Sequence, residues 1–348
     1  MKLTRGLGLD RFSGLYLLLA FIVLFTVWQP HLFPTVSTAD TVLSGQAVSA
    51  MIAMAVLVPL IADEYDLSVG ATANLSAVVA LDLQTVYHWA VIPAIFVALV
   101  SGVLVGVVNG FIVVRLRVSS FIATLGVGSL IAAAQTVISG NNEPLPETSN
   151  AWLNFTQTTI GGFQIAIIYV IALAIFLWWL LEHTPVGRYL HAVGGNSEAA
   201  RLSGVNVDRW VWTSLIISAS ISGAAGIIYG SLIGPSLTFG PGLLLPAFAA
   251  VFLGSTQLKP GRFNVWGTVL AIYVLATGVQ GFEYVTSAQW LSSLFNGVAL
   301  IGAVSFAVWR QRKMSVYKHG ITRQTEQPST PNTSISDSNL PETRQTQV

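Results

Sequence analysis

The sequence contains no cysteine, which excludes disulfides, thiolate metal sites and cysteine nucleophiles. Charge is also scarce. Only 9% of its 348 residues are charged, whereas 53% are hydrophobic. A soluble domain carries roughly 25% charged residues, so much of this chain cannot solvate an aqueous surface, and lipid must be its solvent. A net charge of +1 leaves no electrostatic footprint for nucleic acid or for an acidic partner. No G-x-x-x-x-G-K-[ST] loop occurs, so the usual ATP cradle is missing. His31, His88, His183, His191 and His319 are scattered without ligand partners at helical spacing, and no metal site is expected. G-x-S-x-G is absent as well, and the apolar stretches hold too few titratable groups for a membrane enzyme. No catalytic residue and no cofactor in this chain are expected.

Apolar runs, by contrast, are abundant. Crossing the hydrocarbon core takes roughly 20 apolar residues, or fewer where a helix is broken or buried in protein. Ten runs qualify: 15–33, 42–62, 68–81, 89–114, 118–139, 164–181, 210–233, 242–254, 265–282 and 290–309. The third and eighth are short, and Pro246 interrupts the eighth. The first follows Lys2, Arg5 and Arg11 but is longer than a signal-peptide core and ends on no small-x-small site, so it reads as an anchor.

With the N-terminus inside, all 16 Lys and Arg residues fall in inside segments and none in an outside loop, as the positive-inside rule requires of ten spans. Trp28, Trp89 and Trp290 then mark outer helix ends, and Trp178, Trp179, Trp210, Trp212, Trp266 and Trp309 inner ones, the expected aromatic belts. The predicted fold is therefore all-α: a polytopic integral membrane protein of about ten transmembrane helices in two five-helix halves, N-in and C-in. Residues 1–14 form a cytoplasmic N-terminus and 15–312 the transmembrane domain. Residues 313–348, polar and rich in Ser, Thr, Pro, Asn and Gln, cannot bury a core and read as a disordered cytoplasmic tail.

Three features carry functional expectations. Asp63, Glu64 and Asp66 crowd the junction of the second and third runs. Asp66 and Ser68 suit N-capping, either as a simple cap or as one that shapes a broken helix along a pathway. The inside loop 182–209 is long for a passive connector. In it Asn196 or Ser197 can cap a short helix with Glu198 in its first turn, Gly194 and Gly195 let the backbone turn, and Gly204 ends the helix, which has the form of a docking element. Thirdly, five spans per half makes the halves inverted, so the short third and eighth spans correspond, and such paired defects point to a pathway at a repeat interface.

The segments Asp66-Leu67-Ser68-Val69-Gly70, Ser120-Phe121-Ile122-Ala123-Thr124-Leu125-Gly126, Gly187-Arg188 and Ala192 to Asn206 resemble the permeases of ribose- and xylose-type sugar ABC importers, over roughly 15–312. The resemblance implies a non-enzymatic inner-membrane permease that moves a monosaccharide using ATP hydrolysed on partner subunits. It implies as partners a second permease copy, two ATP-binding cassette subunits, a periplasmic or lipid-anchored sugar-binding protein, and membrane lipid. It marks Gly187, Arg188, Gly194, Gly195, Asn196, Glu198, Ala199, Ala200, Arg201 and Gly204 as the ATPase-coupling loop. Asp66, Ser68, Gly70, Asn74, Ser120, Thr124, Pro246 and Phe248 are the candidate pathway residues. The family's acidic Glu-Leu-Asp stretch is replaced here by Leu243 to Phe248, its Gly-Gly by Gly254-Ser255, and its glycine-rich turn is reduced to Lys259-Pro260-Gly261-Arg262; these departures bear on the substrate. The alternatives are a permease for branched-chain amino acids or nucleosides and, from a different class, an ion-coupled secondary transporter using the Asp63–Asp66 cluster.

Overall fold

The computed structural model describes residues 9–286, 290, 291, 293–302 and 305. The expected tail 313–348 and residues 1–8 lie outside the described residues. The chain is built of helices: α1 (Leu9–Trp28), α2 (Val36–Gly45), α3 (Ala47–Ile61), α4 (Val69–Thr85), α5 (Val91–Gly110), α6 (Ser120–Ile138), α7 (Asn150–Gln157), α8 (Ala166–His183), α9 (Pro185–Gly195), α10 (Ser197–Leu202), α11 (Val207–Leu232), α12 (Phe239–Gly254), α13 (Val265–Thr286) and α14 (Ser293–Gly302). A π-helical turn, Phe111–Arg115, extends α5. A two-residue hairpin, β1 (Thr159–Ile160) with β2 (Phe163–Gln164), is antiparallel.

Among the described residues, seven helical stretches are long and apolar enough to cross a membrane: Arg11–Trp28, Val36–Ile61, Val91–Arg115, Ser120–Ile138, Ala166–His183, Val207–Leu232 and Val265–Thr286. This is a multi-pass, all-α membrane protein. Helices α4, α12 and α14 are shorter. α4 can be short because most of it is buried in protein, and the start of α12 finds a partner for its Gly240 N–H in Asn74, which lipid could not supply.

Two expectations need correction. The second run is two helices that part at Gln46 (φ −97°, ψ 7°), and the first of them starts at Val36, ahead of the apolar stretch. Pro246 does not interrupt α12, which runs helical from Phe239 to Gly254. The proline removes one backbone donor, and the turns on either side hold the helix.

Packing follows from side-chain size. α3 is apolar apart from Ser49 and all of its residues are buried, as expected of a helix enclosed by others. α11 lies against α3, α4 and α5 and places Ser214, Ser218, Ser222, Gly226 and Gly230 four residues apart. α5 answers with Gly102 and Gly106, where an added Cβ would press on α11 backbone. Small residues at this spacing let backbones approach closely where no hydrophobic force drives helices together. α1, in contrast, leaves Leu15, Leu19, Val23 and Val27 exposed, a face suited to acyl chains.

Candidate functional site

Residues 182–209 hold two helices rather than the single short one expected. α9 begins on Pro185, its end capped by Thr184, whose Oγ1 accepts the Val186 N–H (3.2 Å). Leu190 and Val193 are buried and anchor α9 to the bundle. Asn196 both ends α9 and starts α10, accepting the Ala199 N–H at Oδ1 (2.9 Å). His191 donates from Nδ1 to the Gly187 carbonyl (2.8 Å), and burial pushes its pKa down against that hydrogen bond.

The glycines separate into different roles. Gly187 abuts the Leu181 carbonyl and Gly194 the Ile61 carbonyl, so any side chain there would strike backbone, whereas Gly195 faces open space. Gly204 has φ +84°, so it is the residue that makes the sharp turn. Gly195 does not, and Gly194 is required for close approach to the end of α3 rather than for turning.

Around this loop, Asp208 accepts two hydrogen bonds from Arg117 (2.8 and 3.2 Å) and one from Arg201 (2.9 Å), which ties α10 and α11 to the segment after α5. Lys259 pairs with Glu182. Arg188, Glu198 and Ala199 are exposed and Ala200 is buried. A cavity of about 450 Å³ opens between the end of α3 and α9–α10, lined by Asp63, Glu64, Asn196, Glu198, Arg201 and Asp208 among others. Burial pushes the Glu64 carboxyl up, against a hydrogen bond from Ser120 and with Asp63 adding to the rise. Both signs of charge therefore line one surface, which suits docking of a partner more than chemistry. Among the described residues no three His, Asp or Glu side chains gather as a metal site.

The pathway candidates other than Pro246 gather around the start of α4. The connector 62–68 is held by α6: Ser120 Oγ accepts the Tyr65 N–H (3.1 Å) and Thr124 Oγ1 the Leu67 N–H (2.9 Å). Asp66, fully buried, accepts the Ser68 N–H (3.0 Å) and hydroxyl (2.6 Å) on Oδ1 and the Ser218 hydroxyl (2.8 Å) on Oδ2. Ser68 Oγ in turn accepts from Asn109 (2.8 Å). Ser68 is the N-cap residue but makes no side-chain cap, because the buried carboxyl captures its hydroxyl.

Gly70 and Gly240 bring the starts of α4 and α12 into backbone contact, and a Cβ on either would overlap the other's main chain. Asn74 accepts the Gly240 N–H (2.9 Å) and donates to the Leu237 carbonyl. Pro246 lies partly exposed on α12. Phe248 stacks on Tyr65 (6.5 Å between centroids), which meets Phe121 edge-on (6.5 Å).

Asn109, Ser218 and Gln135, which donates to the same Leu237 carbonyl (2.9 Å), are the members of this set that sequence reasoning missed. Each is a polar residue inside an apolar run, which was the available signal. What it joins could not be read.

A buried polar seam thus joins the starts of α4 and α12, and the 182–209 loop meets the end of α3 through Gly194. Comparison with known proteins decides the family. The model described as branched-chain amino acid transport system / permease component matches residues 38–304. The chain belongs to this permease family. Among its relatives, the permease is 31% identical to the ribose import permease protein RbsC of Escherichia coli (strain K12), over 84% of this chain and 92% of that one. The D-allose transport system permease protein AlsC of the same organism is 26% identical, over 85% and 91% of the two chains. The fructose import permease protein FrcC of Rhizobium meliloti is 28% identical, over 85% and 84%. No solved structure matches the permease. The matched span runs from α2 into the residues after α14, so it contains the α4 seam and the 182–209 loop together.

Proposed function

We propose that this chain is the membrane-spanning subunit of an ABC-type importer that carries a monosaccharide across the inner membrane, driven by ATP hydrolysis on partner subunits. The observation that carries this reading is the agreement among relatives, which are named permeases for ribose, allose, fructose and galactose and match along most of both chains. Ten crossings with both ends inside remain the reading favoured by the one-sided Lys and Arg distribution, with 15–312 as the permease domain. The partners are a second permease copy, two ATP-binding cassette subunits and a sugar-binding protein. α9–α10 is the coupling element: it is capped, anchored by Leu190 and Val193, and seated on the end of α3 through Gly194. Force applied there reaches Ile61 and, through the 62–68 connector, Asp66 and Ser68. The route follows α4, α6 and α12, with Tyr65, Phe121 and Phe248 available to stack on a sugar ring face.

The family description favours a second reading, a branched-chain amino acid as cargo. Reconstitution with the ATPase and binding protein in proteoliposomes tests both. ATP-dependent uptake of a labelled monosaccharide, and none of leucine, is expected. Leucine uptake alone supports the second reading, and uptake driven by an ion gradient without ATP overturns both. The crossing pattern is tested by a Ser149→Cys variant of this cysteine-free chain, which a membrane-impermeant maleimide should label in intact cells.

A further inference from the structure

The connector between α11 and α12, residues 233–238, does not lie loosely across the helix ends. It bends back into the bundle, and the Leu237 carbonyl accepts hydrogen bonds from two amides on different helices: Asn74 on α4 and Gln135 on α6 (2.9 Å). Both lone pairs of one carbonyl are thereby used. Asn74 spends its other end on the Gly240 N–H, so a single buried side chain grips both sides of Thr238 and Phe239. The glycine contact between Gly70 and Gly240 closes the space beneath. The Phe239 ring lies flat on Tyr229 (3.5 Å between centroids, 3° between planes).

Two details make this grip releasable. Gly234 adopts φ +118°, a conformation open to glycine, and provides a pivot where the connector leaves α11. Gln135 is 5% exposed and its Oε1 has no partner, so its amide is held by one end only and can reorient without losing a second bond.

The geometry points to the connector 233–238 as the outer gate of the transport route, with Asn74 and Gln135 as its latch. This rests on the transport reading above. In the resting state the latch holds the start of α12 against α4. Rotation of α6 or α4 withdraws the amides and frees the connector to swing about Gly234, opening the route along α4, α6 and α12. The two latch residues act by positioning the gate.

The test uses Ser236→Cys, in the middle of the connector, in the permease assembled with its ATPase subunits. Labelling by a small impermeant maleimide should differ between the nucleotide-free and the vanadate-trapped complex. Adding Gln135→Met, similar in size but unable to donate, should raise the resting labelling rate about fivefold, the shift expected for loss of one neutral hydrogen bond. It should also raise ATP hydrolysis in the absence of sugar and binding protein, while thermal stability and co-purification stay near those of the parent. Gln135→Asn, which withdraws the amide by one methylene, should act in the same direction. Equal labelling of Ser236→Cys in the two nucleotide states, or rates unchanged by both Gln135 variants, overturns the gate. Labelling by maleimide requires no knowledge of the cargo, so failure of sugar uptake with a responsive gate would count against the substrate alone.

Discussion

Asp66 offers a quantitative test of the seam. It is fully buried and accepts three hydrogen bonds, two from Ser68 and one from Ser218. In Asp66→Ala the Ser218 hydroxyl can turn to a carbonyl one turn earlier in α11, as Ser222 already does toward Ser218 (2.9 Å). The Ser68 O–H can turn to Asn109, whose Oδ1 has no partner and faces Ser68 after an amide flip, which leaves the Ser68 N–H without an acceptor. One orphaned buried donor gives a loss of about 1–3 kcal/mol, an appreciable part of the stability of an ordinary fold. Asp66→Asn is milder. One amide oxygen still accepts from Ser68, and the new NH2 meets a serine oxygen able to accept, so the expected loss is about 1 kcal/mol or less.

The assay is the apparent unfolding temperature of the detergent-solubilised permease, followed by fluorescence-detected gel filtration at a fixed heating rate, since such unfolding is irreversible. The alanine variant should fall by about 2–4 °C and the asparagine variant by about 1 °C or less. An alanine variant as stable as the parent would refute the hydrogen-bond account. An asparagine variant as damaged as alanine would show that the negative charge, and not the bonding pattern, is what the site requires.

Two further expectations concern the loop. Gly194→Val should push α9 off the Ile61 carbonyl and reduce co-purification with the ATPase several-fold at normal expression, while Gly195→Val, facing open space, should assemble like the parent; equal behaviour of the pair would deny that this contact seats the coupling element. His191 has its pKa lowered by burial, so the folded chain favours the neutral ring. The unfolded chain protonates first as pH falls through about 6.5, and stability is therefore complete above that pH and declines below it until the folded-state pKa is passed. Unfolding temperatures from pH 8 to 5 should show this decline in the parent and less of it in His191→Gln, and parallel curves would contradict the assignment.

Much of this could be read without coordinates. Membrane residence follows from composition, because a chain with 9% charge has no other solvent available. The helical stretches follow from run length, because a spanning backbone must satisfy itself internally. The cap of α10 at Asn196 and the turn at Gly204 are local events, set by residues within one turn of each other, and were legible for that reason.

Only the tertiary structure decided which polar groups meet. Asp66 and Ser68 looked like caps because neighbours in sequence compete first for a helix end, and Asp66 does hold the Ser68 N–H locally, yet Ser218, 152 positions away, and Asn109 join them into a buried network as well. Gly194 and Gly195 are indistinguishable as a pair in the sequence. One touches Ile61 and the other touches nothing, a difference made by a helix that the local sequence does not contain. The latch on Leu237 has the same origin. A carbonyl carries no side-chain signature, and its two donors come from α4 and α6, brought together by the approach that Gly70 and Gly240 permit. Local hydrogen bonds and solvent preference are properties of short segments. Long-range pairing depends on which small residues let which backbones touch.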